Sequence, residues 1–345
     1  MGNRVQYIDI AKGILILVVV FHHIPQVGNR LLMLNSDSLN TFVSWNWLYA
    51  TFFMPSFFII TGYFSDFEKE CKSFILQNFK SLILAGVILS IVESILDTLL
   101  SRSLVISIDL RSRLISFIKY GTPYWFLSTL FLCKIFYYFL CKLTRYDVIK
   151  GMICMLTMCL ALYICPEIDR NDSNNYWYFN HVLFYLFFLW LGSLMRRISI
   201  LEWKFMPVLG WAYIVMAVVF CFLGIKPPVL THYFGAVTYI SLPLSLLLAT
   251  TGTFLIFYFS RQIYISPIPD IWLQYVGKNS LIIYALHIAI VRNIGLYISH
   301  YIVLPDSMTH AWFYVMLSFF VSVLILVVVS KLLNVPQLRW IVGKW

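Results

Sequence analysis

Ten runs of roughly 20 predominantly apolar residues follow one another along this 345-residue chain, and that repetition leaves it few ways to fold. They cover about residues 8 to 27, 45 to 64, 81 to 100, 124 to 141, 148 to 165, 177 to 195, 205 to 224, 234 to 258, 279 to 300 and 310 to 331. With 61% hydrophobic and only 12% charged residues, the chain has more apolar surface than one water-soluble interior can hide. In hydrocarbon each backbone N–H and C=O has to be satisfied within its own segment, so runs of this length predict α-helices. The expected fold is all-α, a polytopic membrane helical bundle of about ten transmembrane helices. No repeat, linker or second soluble domain interrupts it, so residues 1–345 are expected to form a single membrane-embedded domain, with any catalytic site built between helices.

Cationic residues orient the bundle. With the N-terminus inside, the inner segments hold Arg4, Lys12, Lys69, Lys72, Lys80, Lys142, Arg145, Lys150, Arg196, Arg197, Lys204, Arg261, Lys278, Lys331, Arg339 and Lys344. The outer segments hold only Arg30, Arg102, Arg111, Arg113, Lys119, Arg170 and Lys226. This bias predicts both termini in the cytoplasm of a multi-pass protein of the cell membrane. Residues 101 to 123 dissent, being outer yet rich in positive charge; either Leu104 to Ile118 lies along the interface as an amphipathic helix or a neighbouring span is misplaced. The stretch from Pro166 to Asn180, with Glu167, Asp169 and Asp172, has the acidic, polar character of an external loop.

The net charge of +10 lies mostly between the apolar runs, as topogenic lysine and arginine do, and predicts no nucleic-acid surface. A basic cytosolic rim would also suit a phosphorylated donor. The cysteines Cys71, Cys133, Cys141, Cys154, Cys159, Cys165 and Cys221 show no zinc-ligand spacing and are expected to be packing residues, so no metal is predicted. No small-x-small cleavage site follows the first apolar run, which is expected to stay as helix 1. Fingerprints for P-loop, dinucleotide, zinc-protease or serine-hydrolase chemistry are missing from any usable context.

The first run carries Asp9, Lys12, His22 and His23. At 100° per residue, Lys12 and His23 fall about 20° apart on the helix wheel and Asp9 about 40° from His23, so the three share a face. His22 lies about 80° from Lys12 on the other side and is expected to point elsewhere. The rise from Lys12 to His23 is about 16 Å, comparable to the reach of an extended phosphopantetheine arm. A cation at the membrane edge can hold a coenzyme's phosphates while a deeper imidazole meets its thioester. The plainer alternative is that Lys12 snorkels to the inner interface and His23 caps the helix near the outer one.

Tyr7-Ile-Asp9-Ile-Ala-Lys12-Gly13, followed by an apolar run and His22-His23, resembles the first helix of the acyltransferase 3 family of integral membrane acyltransferases. The fucose 4-O-acetylase-like branch, which has Lys at the basic position, is the nearest in pattern. Phe52-Phe-Met-Pro55-Ser-Phe-Phe-Ile-Ile-Thr61-Gly62, Tyr124-Trp125-Phe126-Leu127 and Gly277-Lys-Asn-Ser280-Leu-Ile-Ile-Tyr284-Ala-Leu-His287 are similar to later motifs of the same family, in the same order. Phe53 stands where the family often has His, and Thr61 where it has Ser. The resemblance implies O-acyl transfer, acetyl-CoA as donor and a sugar hydroxyl of a cell-surface polysaccharide or glycolipid as acceptor. It implies His23 as base or acyl carrier, Lys12 with Asp9 at the donor phosphates, and Trp125 and His287 beside the substrate, while Trp125 equally suits an interfacial aromatic belt. A flippase of lipid-linked sugars is the alternative, since transporters also need many helices and buried charge; an inactive relative serving as a membrane partner is a third.

Other polar residues fall inside the apolar runs. Of Glu93 and Asp97, one helical turn apart, one is expected to stay protonated or to pair with Lys134 or Arg292, a structural ion pair being the favoured reading. His287 and Arg292 do not share a face and are expected to serve different surroundings. His181, His232, His300 and His310 lie near predicted helix ends, where an imidazole is readily solvated. Pro55, Pro207 and Pro243 are expected to start or kink helices, and a kink beside Thr61 and Gly62 would open room for a ligand.

Overall fold

The computed structural model describes residues 6–30, 32–34, 36–100, 110–121, 123–164, 176–229, 237–266, 270–336 and 338. The acidic loop up to residue 175, His232, Cys165, Arg4, Arg102, Arg170, Arg339 and Lys344 lie outside the described residues. Regular structure among the described residues is entirely helical. In chain order the helices are α1 (Gln6–Arg30), α2 (Asp37–Ser44), α3 (Trp47–Ala50), α4 (Phe53–Phe64), α5 (Cys71–Asn78), α6 (Ala85–Leu100), α7 (Leu110–Tyr120) and α8 (Trp125–Leu143). They continue with α9 (Asp147–Ile164), α10 (Phe179–Arg197), α11 (Met206–Leu223), α12 (Leu242–Ile265), α13 (Ile271–Lys278), α14 (Ser280–Tyr301) and α15 (Met308–Leu333). A π-helical stretch, Phe79–Leu84, joins α5 to α6.

Ten of these helical segments are long and apolar enough to cross a bilayer, as the apolar runs predict, and the chain is a multi-pass membrane protein. Proline sets several starts. Pro207 and Pro243 occupy the first turn of α11 and α12, and Pro55 the first turn of α4, where a missing N–H leaves no hydrogen bond unmade. Pro243 explains why α12 begins at Leu242 rather than at residue 234.

The chain forms two compact units. The first takes α1, α2, α6, the start of α7 and α13 to α15; the second takes α3 to α5, the π-helical stretch, the rest of α7 and α8 to α12. Within the first unit α1 packs against α13, α14, α15 and α2, and α14 also packs against α6 and α15. Buried residues therefore run round most of α1, from Ile8 through Leu15 and Val19 to Ile24, rather than along one stripe. Lipid offers no hydrophobic drive for helices to associate, so close backbone approach carries the packing. A Cβ on Gly277 would sit 1.7 Å from the Asp9 carbonyl oxygen, and one on Gly13 would sit 2.3 Å from that of Leu273. Only glycine lets α1 and α13 meet backbone to backbone.

The second unit uses the same device. Cβ atoms on Gly62 and Gly192 would each come within 2.0 Å of a carbonyl oxygen, of Leu189 and Ile59 respectively, where α4 crosses α10. Gly62 thus closes α4 on its neighbour, and the room for a ligand expected beside Thr61 and Gly62 is filled by the α10 backbone. At the other extreme, α11 leaves Val215, Phe222 and Leu223 exposed, as a lipid-facing surface would.

Charge is handled by pairing. Arg113, in the positively charged segment that dissents from the orientation rule, is buried against Glu93 and Asp97, so it is compensated locally. The segment does contain a helix, α7, with Ile115 and Ile118 exposed. Lys150 is buried against Asp147, which also accepts from Arg197. The six described cysteines are all unbridged; Cys133 and Cys154 are buried and Cys71 and Cys221 exposed.

Candidate active site

The first helix delivers its polar residues along a single rod, and helix phase decides what each meets. Asp9 is buried, Lys12 is part-exposed, and the two form a loose i,i+3 pair at 4.0 Å. The Gly13–Gly277 crossing holds this end of α1 against α13. About 16 Å along the same face, His23 is part-buried. Its ring centroid lies 4.9 Å from that of His287 on α14, with the planes tilted by 45°. His22 is also buried; its ring stands 5.1 Å from the His23 ring and its Nε2 is bonded to Gln26 at 3.0 Å. Neighbouring histidines on α1 thus divide, His22 bonding along its own helix and His23 meeting a second histidine across a helix contact.

His287 is held in one tautomer. Its Nδ1 lies 2.6 Å from the Tyr284 carbonyl oxygen, which can only accept, so Nδ1 carries the hydrogen. Its Nε2 then presents a lone pair. That atom is fully buried and has no hydrogen-bond partner among the described residues, although a buried acceptor ordinarily finds one. His287 itself is 3% exposed.

Further along α14, Arg292 and Asn293 both donate to Asp97 on α6, and Arg113 bridges Asp97 at 3.0 Å and Glu93 at 2.8 Å. Two carboxylates and two guanidiniums therefore form a neutral buried cluster that ties α14 to α6. Of the two cations expected to serve Glu93 and Asp97, Arg292 does so; Lys134 instead sits over the Phe74 ring, at 5.8 Å from its centroid. Arg113 and Asn293 were not foreseen as partners. The signal for Arg113 was its place in a segment too basic for its side of the membrane; Asn293 gave none. As expected, His287 and Arg292 face different surroundings, since five residues turn the helix by about 140°.

Trp125 belongs to the second unit, and Asp9, Lys12, His23 and His287 to the first. The Trp125 indole, part-buried at the start of α8, lies 5.1 Å from the His181 ring and 5.9 Å from that of Tyr185. His181 departs from expectation, being buried with its Nδ1 2.7 Å from Asn180 Oδ1. The cause is the turn before α10, where Trp177 and Tyr178 adopt positive φ and the Tyr178 ring closes on His181 at 5.1 Å. His300 and His310 are exposed, as expected of imidazoles at helix ends. Phe53 is buried with its ring 6.3 Å from that of Tyr49. Among the described residues no group of three or more His, Cys, Asp or Glu side chains is arranged to hold a metal.

A family model described as an acyltransferase domain matches residues 5–330, from the start of the first helix almost to the end of the last. No curated protein and no solved structure matches the chain. The match spans both units and all ten membrane-crossing segments, and it includes each residue of the His23, His287, Lys12 and Asp9 constellation. The chain belongs to the acyltransferase 3 family and is a multi-pass membrane acyltransferase.

Proposed function

We propose that this protein is an O-acetyltransferase that moves an acetyl group from acetyl-CoA to a hydroxyl of a sugar in a cell-surface polysaccharide or glycolipid. The observation that carries the reading is the His23–His287 ring contact on the same rod that bears Lys12 about 16 Å away. That spacing suits a donor with its phosphates at the basic end and its thioester at the imidazoles. Lys12 would bind donor phosphate, with Asp9 orienting its ammonium. His23 would act on the acyl centre, as base for the acceptor hydroxyl or as carrier of the acyl group.

The buried Glu93, Asp97, Arg113 and Arg292, of a kind that a transporter of lipid-linked sugars would also need, pair with one another and their formal charges cancel, which favours acyl transfer. Purified protein incubated with labelled acetyl-CoA should release free coenzyme and pass label to the acceptor. Proton-coupled flux of a lipid-linked sugar without acetyl turnover would overturn the reading. Mass spectrometry of surface glycans from a strain lacking the protein should show a missing acetyl mass, which identifies acceptor and acyl group together.

A further inference from the structure

We infer that His287 is a second catalytic imidazole, the general base that takes the proton of the acceptor hydroxyl at its Nε2. The inference rests on the proposed acetyl transfer and assigns within it a role that His23 alone need not fill.

Three observations meet at this residue. The Tyr284 carbonyl fixes the hydrogen on Nδ1, so the lone pair is on Nε2. That nitrogen is buried and has no hydrogen-bond partner among the described residues, in a side chain that is 3% exposed. An unmet buried acceptor costs about 1–3 kcal/mol, a cost that an acceptor hydroxyl bonded at this nitrogen would offset. Finally, its ring lies 4.9 Å from that of His23, so a group reacting at His23 is within reach of His287. The base is oriented by a backbone carbonyl, which cannot exchange its proton and so holds the tautomer throughout turnover.

The step balances without a further reactant. Acetyl passes from the coenzyme to His23 as the carbon–sulfur bond breaks and thiolate leaves; the acceptor oxygen then bonds the acetyl carbonyl carbon as its proton passes to His287 Nε2, and the bond from that carbon to the His23 nitrogen breaks. The thiolate then takes the proton from the imidazolium, leaving free coenzyme thiol, acetylated acceptor and neutral His287. His23 is then the acyl carrier, the role left open to it once His287 is the base.

Asn at position 287 separates this role from a structural one, since its amide can donate to the Tyr284 carbonyl from near the Nδ1 position while Nε2 is lost. Acetyl transfer by purified His287→Asn should show kcat lowered about 10²- to 10⁴-fold with KM for acetyl-CoA unchanged. Should that variant not fold, His287→Gln, which puts an amide near Nε2 but no base, carries the same test. External imidazole should restore turnover to His287→Ala in detergent. A kcat within threefold of wild type, a loss borne by KM alone, or no rescue of folded His287→Ala by imidazole would overturn the inference. Wild-type protein run alongside keeps the two readings apart. If it transfers acetyl and His287→Asn matches it, only the role of His287 fails; if it transfers none, the proposed function fails and takes this role with it.

Discussion

Replacing Asp97 by Asn keeps the shape of the side chain and removes one charge from a cluster that is otherwise neutral. Glu93 would then stand alone against Arg113 and Arg292, leaving a net charge of +1 among side chains that are each no more than 8% exposed. Asp97 accepts from Arg113, Arg292 and Asn293, so three donors lose a charged acceptor together. Breaking a buried ion pair from one side costs about 3–5 kcal/mol, because the partner stays buried without compensation. Asp97→Asn is therefore expected to lose about 3–5 kcal/mol in equilibrium unfolding by SDS titration in mixed micelles, followed by tryptophan fluorescence. Adding Arg292→Gln restores neutrality, with Glu93 paired to Arg113, and should recover at least half of the loss. A single mutant within about 1 kcal/mol of wild type, or a double mutant less stable than the single, would refute the view that charge balance rather than shape governs this cluster.

Other variants address the site and the packing that presents it. His23→Ala is expected to lower acetyl transfer by at least about 10²-fold in membranes where the protein is present at wild-type level; full activity would remove His23 from the chemistry. Lys12→Gln should raise KM for acetyl-CoA about tenfold with little change in kcat, the low end of a charge-assisted hydrogen bond, because the lysine is 31% exposed; steady-state kinetics in detergent decide this. Gly277→Ala should destabilise by about 1–3 kcal/mol or more, since its Cβ would lie 1.7 Å from a carbonyl oxygen of α1 and neither backbone can yield without moving a helix. Gly295→Ala is the comparison: its Cβ would meet the Tyr314 hydroxyl at 2.6 Å, the end of a side chain rather than a helix backbone, and its thermal midpoint should fall less.

Much of the fold is legible in the sequence, and the bilayer is the reason. Because unpaired backbone groups are excluded from hydrocarbon, a 20-residue apolar run has one conformation open to it, and the runs at 148 to 165 and 279 to 300 match α9 and α14 to within a residue at each end. Breaks inside spans were less visible: Asp37–Phe64 is α2, α3 and α4 in succession, and Cys71–Leu100 contains a π-helical stretch. The first-helix constellation was legible too, since helix phase alone sets Asp9, Lys12 and His23 on one face.

Partnership was not legible, because it depends on which helices touch. Composition offered both Lys134 and Arg292 to the buried carboxylates, and only the approach of α14 and α6 selects Arg292, with Asn293 beside it. His181 reads as a solvated helix-end imidazole until the positive-φ turn at Trp177 and Tyr178 closes an aromatic ring over it. Spacing marks His23, but its contact with His287, separated from it by most of the chain, arises from glycine-mediated packing of α1 against α13 and from the descent of α14 alongside. The sequence alone determined the apolar membrane-crossing segments and which polar residues of α1 share a face, because these follow from backbone hydrogen bonding in lipid and the pitch of one helix. The tertiary structure decided which imidazole meets His23 and which nitrogen it offers, because a ring contact and a fixed tautomer exist only once helices α1 and α14 lie side by side.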